Sequence, residues 1–273
     1  MKISINVVSP FESGGFNTYN KYLVNNIAKL DKKNYYYIYV DYNNFKNYQI
    51  YQPNIKIIKK SQLLNNSALR IIWMQFILPF SLIYNQVDIH VSTMNISPLF
   101  LKLSRTKSIL IQHSNLPWVY PNEFSKNLLK LFLTRSLMSL SIYFSDTVIC
   151  DTNYARNELI NFFPRQRDKI KKAYLAVDRK IFKVKSDINN TEDILSKYSL
   201  PKKYFLSIAS TKPYHKLLEL IKAYEIFIKD TEDTTSLVII TNIHDMDYFK
   251  TIQTFISKNN LNLRVKIITG ISS

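Results

Sequence analysis

Short, β-rich apolar runs alternate with helix-length segments along most of this chain. The runs fall at 2–8, 35–41, 55–58, 87–91, 108–112 and 147–150, and several are nearly unbroken in apolar residues. Strands of a parallel sheet covered on both faces have that character, because neither side chain direction meets water. Between the runs, the spacing of apolar positions predicts helices over 16–30, 67–84, 98–103, 123–144 and 154–162. Such alternation predicts βαβ units and a doubly wound α/β domain. The longest apolar stretch, 71–84, contains Gln75 and Pro79. It is shorter than the ~20 residues that a membrane span needs, so a buried helix is expected there.

The pattern breaks in the charged segment 164–169, which places a domain boundary between 168 and 169. A second series follows, with strands over 170–174, 204–209, 237–241 and 265–269 and helices over 215–229 and 246–258. A sheet usually has about five or six strands, and the last strand here would leave an open edge, so this second domain is expected to be incomplete.

Composition and the first residues adjust this picture. The sequence is 46% hydrophobic, enough for a sizeable core. A lone cysteine, Cys150, excludes an intramolecular disulfide and fits a reducing compartment. The first residues, MKISINVV, run directly into a strand without the pattern of a signal peptide, so a cytoplasmic protein is expected. The formal charge of +17 favours an anionic partner. Lys, Asn, Ile and Tyr, all with AT-rich codons, are abundant, so base composition with a generally basic surface is the stronger reading of that charge, ahead of a dedicated nucleic-acid site. No nucleic-acid module is recognisable, so no nucleic-acid partner is expected.

Candidate chemistry sits where predicted strands run into helices. Ser13-Gly14-Gly15 follows the first strand and opens the first helix, whose free N–H groups and dipole attract an anion. It is either a diphosphate or sugar contact or an ordinary tight turn. It lacks the GxGxxG spacing of a dinucleotide site. His113 stands at the carboxyl end of a predicted strand, where open α/β sheets bind ligands. It is a functional residue or a satisfied, half-buried histidine. In the segment 150–156, Thr152 or Asn153 is a natural helix cap, and Arg156 is a phosphate ligand or a solvated helix arginine. Ser210, Thr211, His215 and Lys216 cluster before an amphipathic helix, as phosphate ligands or as a polar loop. Asp245 and Asp247 have the spacing of a metal-binding pair, but capping of the following helix is the stronger reading. No cysteine–histidine cluster has zinc spacing, and there is no P-loop. The helix 123–144 mixes lysines with leucines. Core packing explains most of its apolar side, and docking on an anionic membrane surface is the second reading.

In order, these segments resemble the retaining GT-B-fold glycosyltransferases of family 4. The similarity rests on Ser13-Gly14-Gly15 with Tyr19 and Leu23, Gln112-His113, the stretch 146–159, the stretch 170–178 with Phe182, and 204–224 with His215-Lys216 and Ala223-Tyr224. The resemblance implies a GT-B-like fold: a complete Rossmann-like acceptor-side domain (1–168) and a partial nucleotide-sugar-side domain (169–273), with the active site between them. It implies transfer from a nucleotide-diphosphate sugar to a saccharide or lipid-linked saccharide hydroxyl, in surface polysaccharide synthesis. In that scheme His113 is catalytic and touches the transferred sugar. Gly14, Gly15, Arg156, Ser210, His215 and Lys216 bind the donor, and Lys216 neutralises the leaving diphosphate. No metal or other cofactor is implied.

The sequence departs from the family at Ser210, where an arginine is usual, and at Ala176, where a glycine is usual. The paired glutamates that hold the donor would fall beyond Ser273, so a C-terminally truncated enzyme is expected. The alternative is a non-catalytic half that pairs with another chain to complete its second domain. Peripheral contact with the inner face of the membrane through 123–144 is the remaining partner expected.

Overall fold

The computed structural model describes residues 1–9, 14–48, 50–178, 182, 189–231 and 233–270. Two units divide the chain, Met1–Ala176 and Val177–Ser273.

The first unit runs β1 (Lys2–Asn6), α1 (Gly14–Leu30), β2 (Tyr35–Val40), β3 (Ile55–Lys59), α2 (Ser67–Tyr84), β4 (Ile89–Ser92), β5 (Lys107–Gln112), α3 (Leu128–Phe144), β6 (Thr147–Cys150), α4 (Asn153–Phe162) and β7 (Ile170–Lys172). Its strands form one sheet in the order β3-β2-β1-β4-β5-β6-β7, and every pairing is parallel. Strand order reverses between β1 and β4, the point at which a doubly wound sheet opens a crevice at its carboxyl edge.

Alternation along β2 shows how the faces are covered. Ile38 and Val40 pack with Val24 and Ala28 of α1, while Tyr37 and Tyr39 pack with Trp73, Leu78 and Leu82 of α2. Both sets are apolar because helices lie on both faces.

Side-chain caps fix the helix starts. Asn66 accepts from Ala68 and Leu69 N–H, Asn127 from Lys130 N–H, and Thr152 from Ala155 N–H. Helix α2 contains a π turn over Trp73–Ile77, in which Leu78 N–H bonds the Trp73 carbonyl. Pro79 explains it: proline has no N–H and its ring crowds the carbonyl one turn back, so the helix widens. The widened turn buries Trp73, Met74 and Gln75 in succession. The expected helix over 98–103 is a 3-10 turn, Leu99–Leu103. The expected helix over 123–144 is interrupted, with a single turn at Pro121–Phe124 before α3 begins.

Two expectations are corrected. The segment expected to open the second domain contains β7, which pairs with β6 in the first sheet, and Ile170 is wholly buried there. The boundary therefore lies at Ala176, past 168. The helix at 71–84, expected to be buried, is buried on one side only. Phe76, Phe80, Ile83 and Tyr84 are exposed.

The second unit contains α5 (Asn189–Lys197), β8 (Tyr204–Ile208), α6 (Leu217–Thr231), β9 (Ser236–Thr241), α7 (Met246–Lys258) and β10 (Val265–Thr269). Its described strands form a parallel sheet in the order β10-β9-β8. Ile221 and Tyr224 of α6 and Ile252 and Ile256 of α7 cover Leu237, Ile239 and Val265. Asp245 accepts from Tyr248 N–H and caps α7, the role expected for it from sequence.

Candidate functional site

The first unit concentrates its polar features at the carboxyl ends of β1, β4, β5 and β6. Strands β5 and β6 are in register with Gln112 opposite Cys150, so the next residue of each strand, His113 and Asp151, emerge side by side. His113 Nδ1 lies 2.7 Å from Asp151 Oδ2. A carboxylate only accepts hydrogen bonds, so the proton of this contact belongs to Nδ1. The backbone N–H of His113 donates to Asn95 Oδ1 at 2.7 Å. Asn95, just past β4, has a left-handed φ of 59°, one of the few described non-glycine residues to do so.

Aromatic residues of α1 complete the cage. The Tyr19 ring meets the imidazole edge to face at 4.6 Å, and the Phe16 ring does so at 5.1 Å. His113 is thus fixed by a carboxylate, a backbone contact and two rings, and its side chain is only 11% exposed. Its second nitrogen, Nε2, is buried without a hydrogen-bond partner among the described residues. A buried polar nitrogen in that state has unused bonding capacity. Burial and the nearby Asp151 push the Tyr19 hydroxyl up to about 12. The same two causes push the buried Cys150 thiol up to about 12, which keeps it protonated and unreactive.

Gly14 and Gly15 open α1 beside this cage, and Ser13 lies outside the described residues. A Cβ at either glycine would meet nothing within 4 Å. Neither packing nor a left-handed backbone demands glycine there, and the pair leaves the helix N-terminus open to close approach. Arg156 is engaged elsewhere. Its Nε donates to the Ile170 carbonyl at 3.0 Å and Nη1 to Asn157 at 3.3 Å, so it braces α4 to β7.

The second unit carries the other group, on the loop between β8 and α6. Lys216 has a left-handed φ of 56° and immediately precedes α6, while His215 ends the 3-10 turn Pro213–His215. A non-glycine residue in that conformation is strained by ~1–2 kcal/mol. Burial, with Lys212 and His244 nearby, lowers the His215 pKa from 6.5, so the ring is neutral at pH 7. Ser210 is half-buried on the same loop. Thr211, expected among the phosphate ligands, is wholly buried and structural. Its Oγ1 accepts from His244 and Asp245 N–H at 2.9 and 3.1 Å, joining this loop to the start of α7.

Sequence reasoning singled out His113, the glycines and Lys216, but not Asp151 or Asn95. The signal for Asp151 lay in the pattern, since both 108–112 and 147–150 read as strands; their register did not.

The parallel seven-stranded sheet and the matches to solved structures give the chain an α/β GT-B fold. No family model matches the chain, and no curated protein sequence matches it. Solved structures match it across its whole length. HepE from Anabaena in complex with UDP-glucose has a TM-score of 0.67 at 13% identity, covering 100% of this chain and 70% of that one. The lipopolysaccharide outer core galactosyltransferase WaaB has a TM-score of 0.59 at 13% identity, covering 100% and 69%. A UDP-N-acetylglucosamine 2-epimerase from Rickettsia bellii has a TM-score of 0.56 at 18% identity, covering 100% and 69%.

Proposed function

We propose that this chain takes a nucleotide-diphosphate sugar and transfers the sugar to an acceptor hydroxyl. The observation that carries the reading is His113, held by Asp151 and two rings beside the glycine-opened end of α1, with Nε2 left to bond a ligand. Transfer breaks the bond between the anomeric carbon and the diphosphate, forms one to the acceptor oxygen and releases the nucleoside diphosphate. His113 Nε2 meets a hydroxyl of the moving sugar. Gly14 and Gly15 let donor and acceptor approach the main chain. Lys216 and the N-terminus of α6 stabilise the charge that grows on the departing diphosphate, with Ser210 and neutral His215 as hydrogen-bond donors. The first unit serves as the acceptor side and the second as the donor side.

In the finer form of the proposal, the chemistry retains anomeric configuration, as in family 4 glycosyltransferases. The acceptor is a saccharide or lipid-linked saccharide of a surface polysaccharide, modified on the cytoplasmic side of the membrane. UDP-glucose in HepE and the galactosyltransferase activity of WaaB support a nucleotide-sugar donor. The epimerase shares the fold and supplies the rival outcome.

Calorimetric titration with UDP- and GDP-sugars tests the proposal, together with assay of nucleotide release in the presence of saccharide acceptors. We expect binding of one nucleotide sugar that Lys216→Ala abolishes, and turnover that His113→Ala lowers. No binding of any nucleotide sugar, or epimerisation of UDP-N-acetylglucosamine without transfer, overturns it.

A further inference from the structure

Helix α2 has a second apolar side that the sheet does not use. Its core side, Trp73, Met74, Leu78 and Leu82, packs on Tyr37 and Tyr39. Its outer side presents Leu69, Ile72, Phe76, Phe80 and Ile83, spaced three or four apart and all exposed, with Phe80 at 74%. One side of a helix repeats at this spacing, so these residues form a continuous stripe.

The stripe is extended by its neighbours. Phe76 meets the exposed Phe100 of the Leu99–Leu103 turn at 5.6 Å, and Leu103 beyond it is 86% exposed. That turn touches both α2 and α3. Helix α3 in turn exposes Leu128, Leu129, Phe132 and Leu133, with Leu131, Met138 and Ile142 buried beneath. Exposed apolar surface spread over three adjoining elements exceeds the scattered singles of an ordinary surface and marks an interaction site.

Charge selects the partner. Segments 67–84, 99–107 and 126–144 carry seven lysines and arginines and no aspartate or glutamate. Of the acidic groups beside them, Asp146 is shared by Lys102 and Lys107 at 3.8 and 3.4 Å and Asp88 accepts from the Lys2 N–H, so the rim keeps a basic excess. A second copy of a +17 chain meeting this face would oppose like charges. An anionic headgroup layer complements them, and the acyl region beneath it accepts the stripe. Although α2 is long and apolar enough to cross a membrane, its core side belongs to the sheet, so it lies along the interface instead.

We infer that α2, the Leu99–Leu103 turn and α3 form a docking surface for an anionic lipid bilayer, with the α2 stripe inserted among the lipids. This assigns α2 the leading contact and does not depend on the transfer reaction.

The test is sedimentation of the full chain with phosphatidylcholine vesicles, with and without phosphatidylglycerol, at low and high salt. We expect association that requires phosphatidylglycerol and weakens with salt. The double variant Phe76→Ser/Phe80→Ser, with its fold checked by circular dichroism, should partition at least about tenfold less. Leu263→Ser, which alters a 97% exposed leucine of the second unit, should behave as the parent chain. Three results overturn the inference: no association with anionic vesicles, association that the double variant leaves unchanged, or a dimer in light scattering that the double variant dissociates.

Discussion

His90 is wholly buried in the middle of the first sheet. Its Nδ1 lies 2.9 Å from Ser4 Oγ and its Nε2 3.0 Å from Ser92 Oγ, so both ring nitrogens are satisfied while the ring is neutral. Burial pushes its pKa down to about 3 from 6.5. The unfolded chain therefore binds a proton in the range where the folded one does not, and stability falls as the pH drops from 6.5 towards 3. The slope is about 1.4 kcal/mol per pH unit for one such group. Urea unfolding between pH 7 and 4.5 should show that loss in the parent chain, and His90→Gln should flatten it. His113 is a different case, because its partner is a carboxylate. Asp151→Asn replaces an obligate acceptor with an amide that also donates. The proposed turnover should drop about tenfold to a hundredfold, the worth of one charge-assisted hydrogen bond, while the thermal midpoint falls by only a few degrees because the amide oxygen still accepts. Steady-state kinetics beside a thermal melt would check it. His113 was legible in the sequence because a histidine at a strand end is conspicuous. Asp151 was not, because its meaning depends on Gln112 pairing with Cys150 and not one residue away.

At the scale of elements, both helices proposed to meet the donor begin in ways that do not favour stability. Lys216 is left-handed immediately before α6, and α1 opens on two glycines that nothing crowds. Glycine at 216 relieves the backbone strain but adds freedom to the unfolded chain, for a net gain of up to about 1 kcal/mol. Alanine there relieves nothing. Lys216→Gly should thus melt higher than Lys216→Ala while both lose nucleotide-sugar binding, a split that calorimetry and thermal melts resolve together. Gly15→Ala should likewise stabilise α1, by about 0.5 kcal/mol, and still weaken binding. Most elements were legible from period and caps, and Thr152 and Asp245 cap the helices their positions suggested. Helix α2 was legible as a helix but not as a half-exposed one. Apolar composition reports a preference for leaving water, not which neighbour covers each side, and the stripe from Leu69 to Ile83 looks in sequence like any core face.

Over the whole molecule, alternation of strands and helices was enough to foresee a doubly wound domain followed by a second α/β series. It misplaced the junction, because β7 is only Ile-Lys-Lys with both lysines exposed, and three such residues look the same whether they end one sheet or begin another. Membership is decided by long-range contacts. Ile149 pairs with Lys171, Ala173 N–H bonds the Cys150 carbonyl at 3.0 Å, and Ile170 fills the core with Leu110, Ile142, Val148 and Leu159. The Ile170 carbonyl also receives Arg156, which ties α4 down. A fragment 1–176 keeps all of these contacts, whereas 1–168 removes the strand, leaves the edge of β6 unpaired and strips Arg156 of its acceptor. Burial of Ile170 alone is worth about 1.5–3 kcal/mol, and each lost hydrogen bond about 1 kcal/mol more. For a domain of this size 1 kcal/mol shifts the midpoint by about 2–4 °C. The 1–176 fragment should therefore unfold cooperatively, and the 1–168 fragment should melt at least about 10 °C lower or aggregate through its bared edge. Equal midpoints would mean that β7 is an appendage of the first sheet, and the junction at 168 would stand.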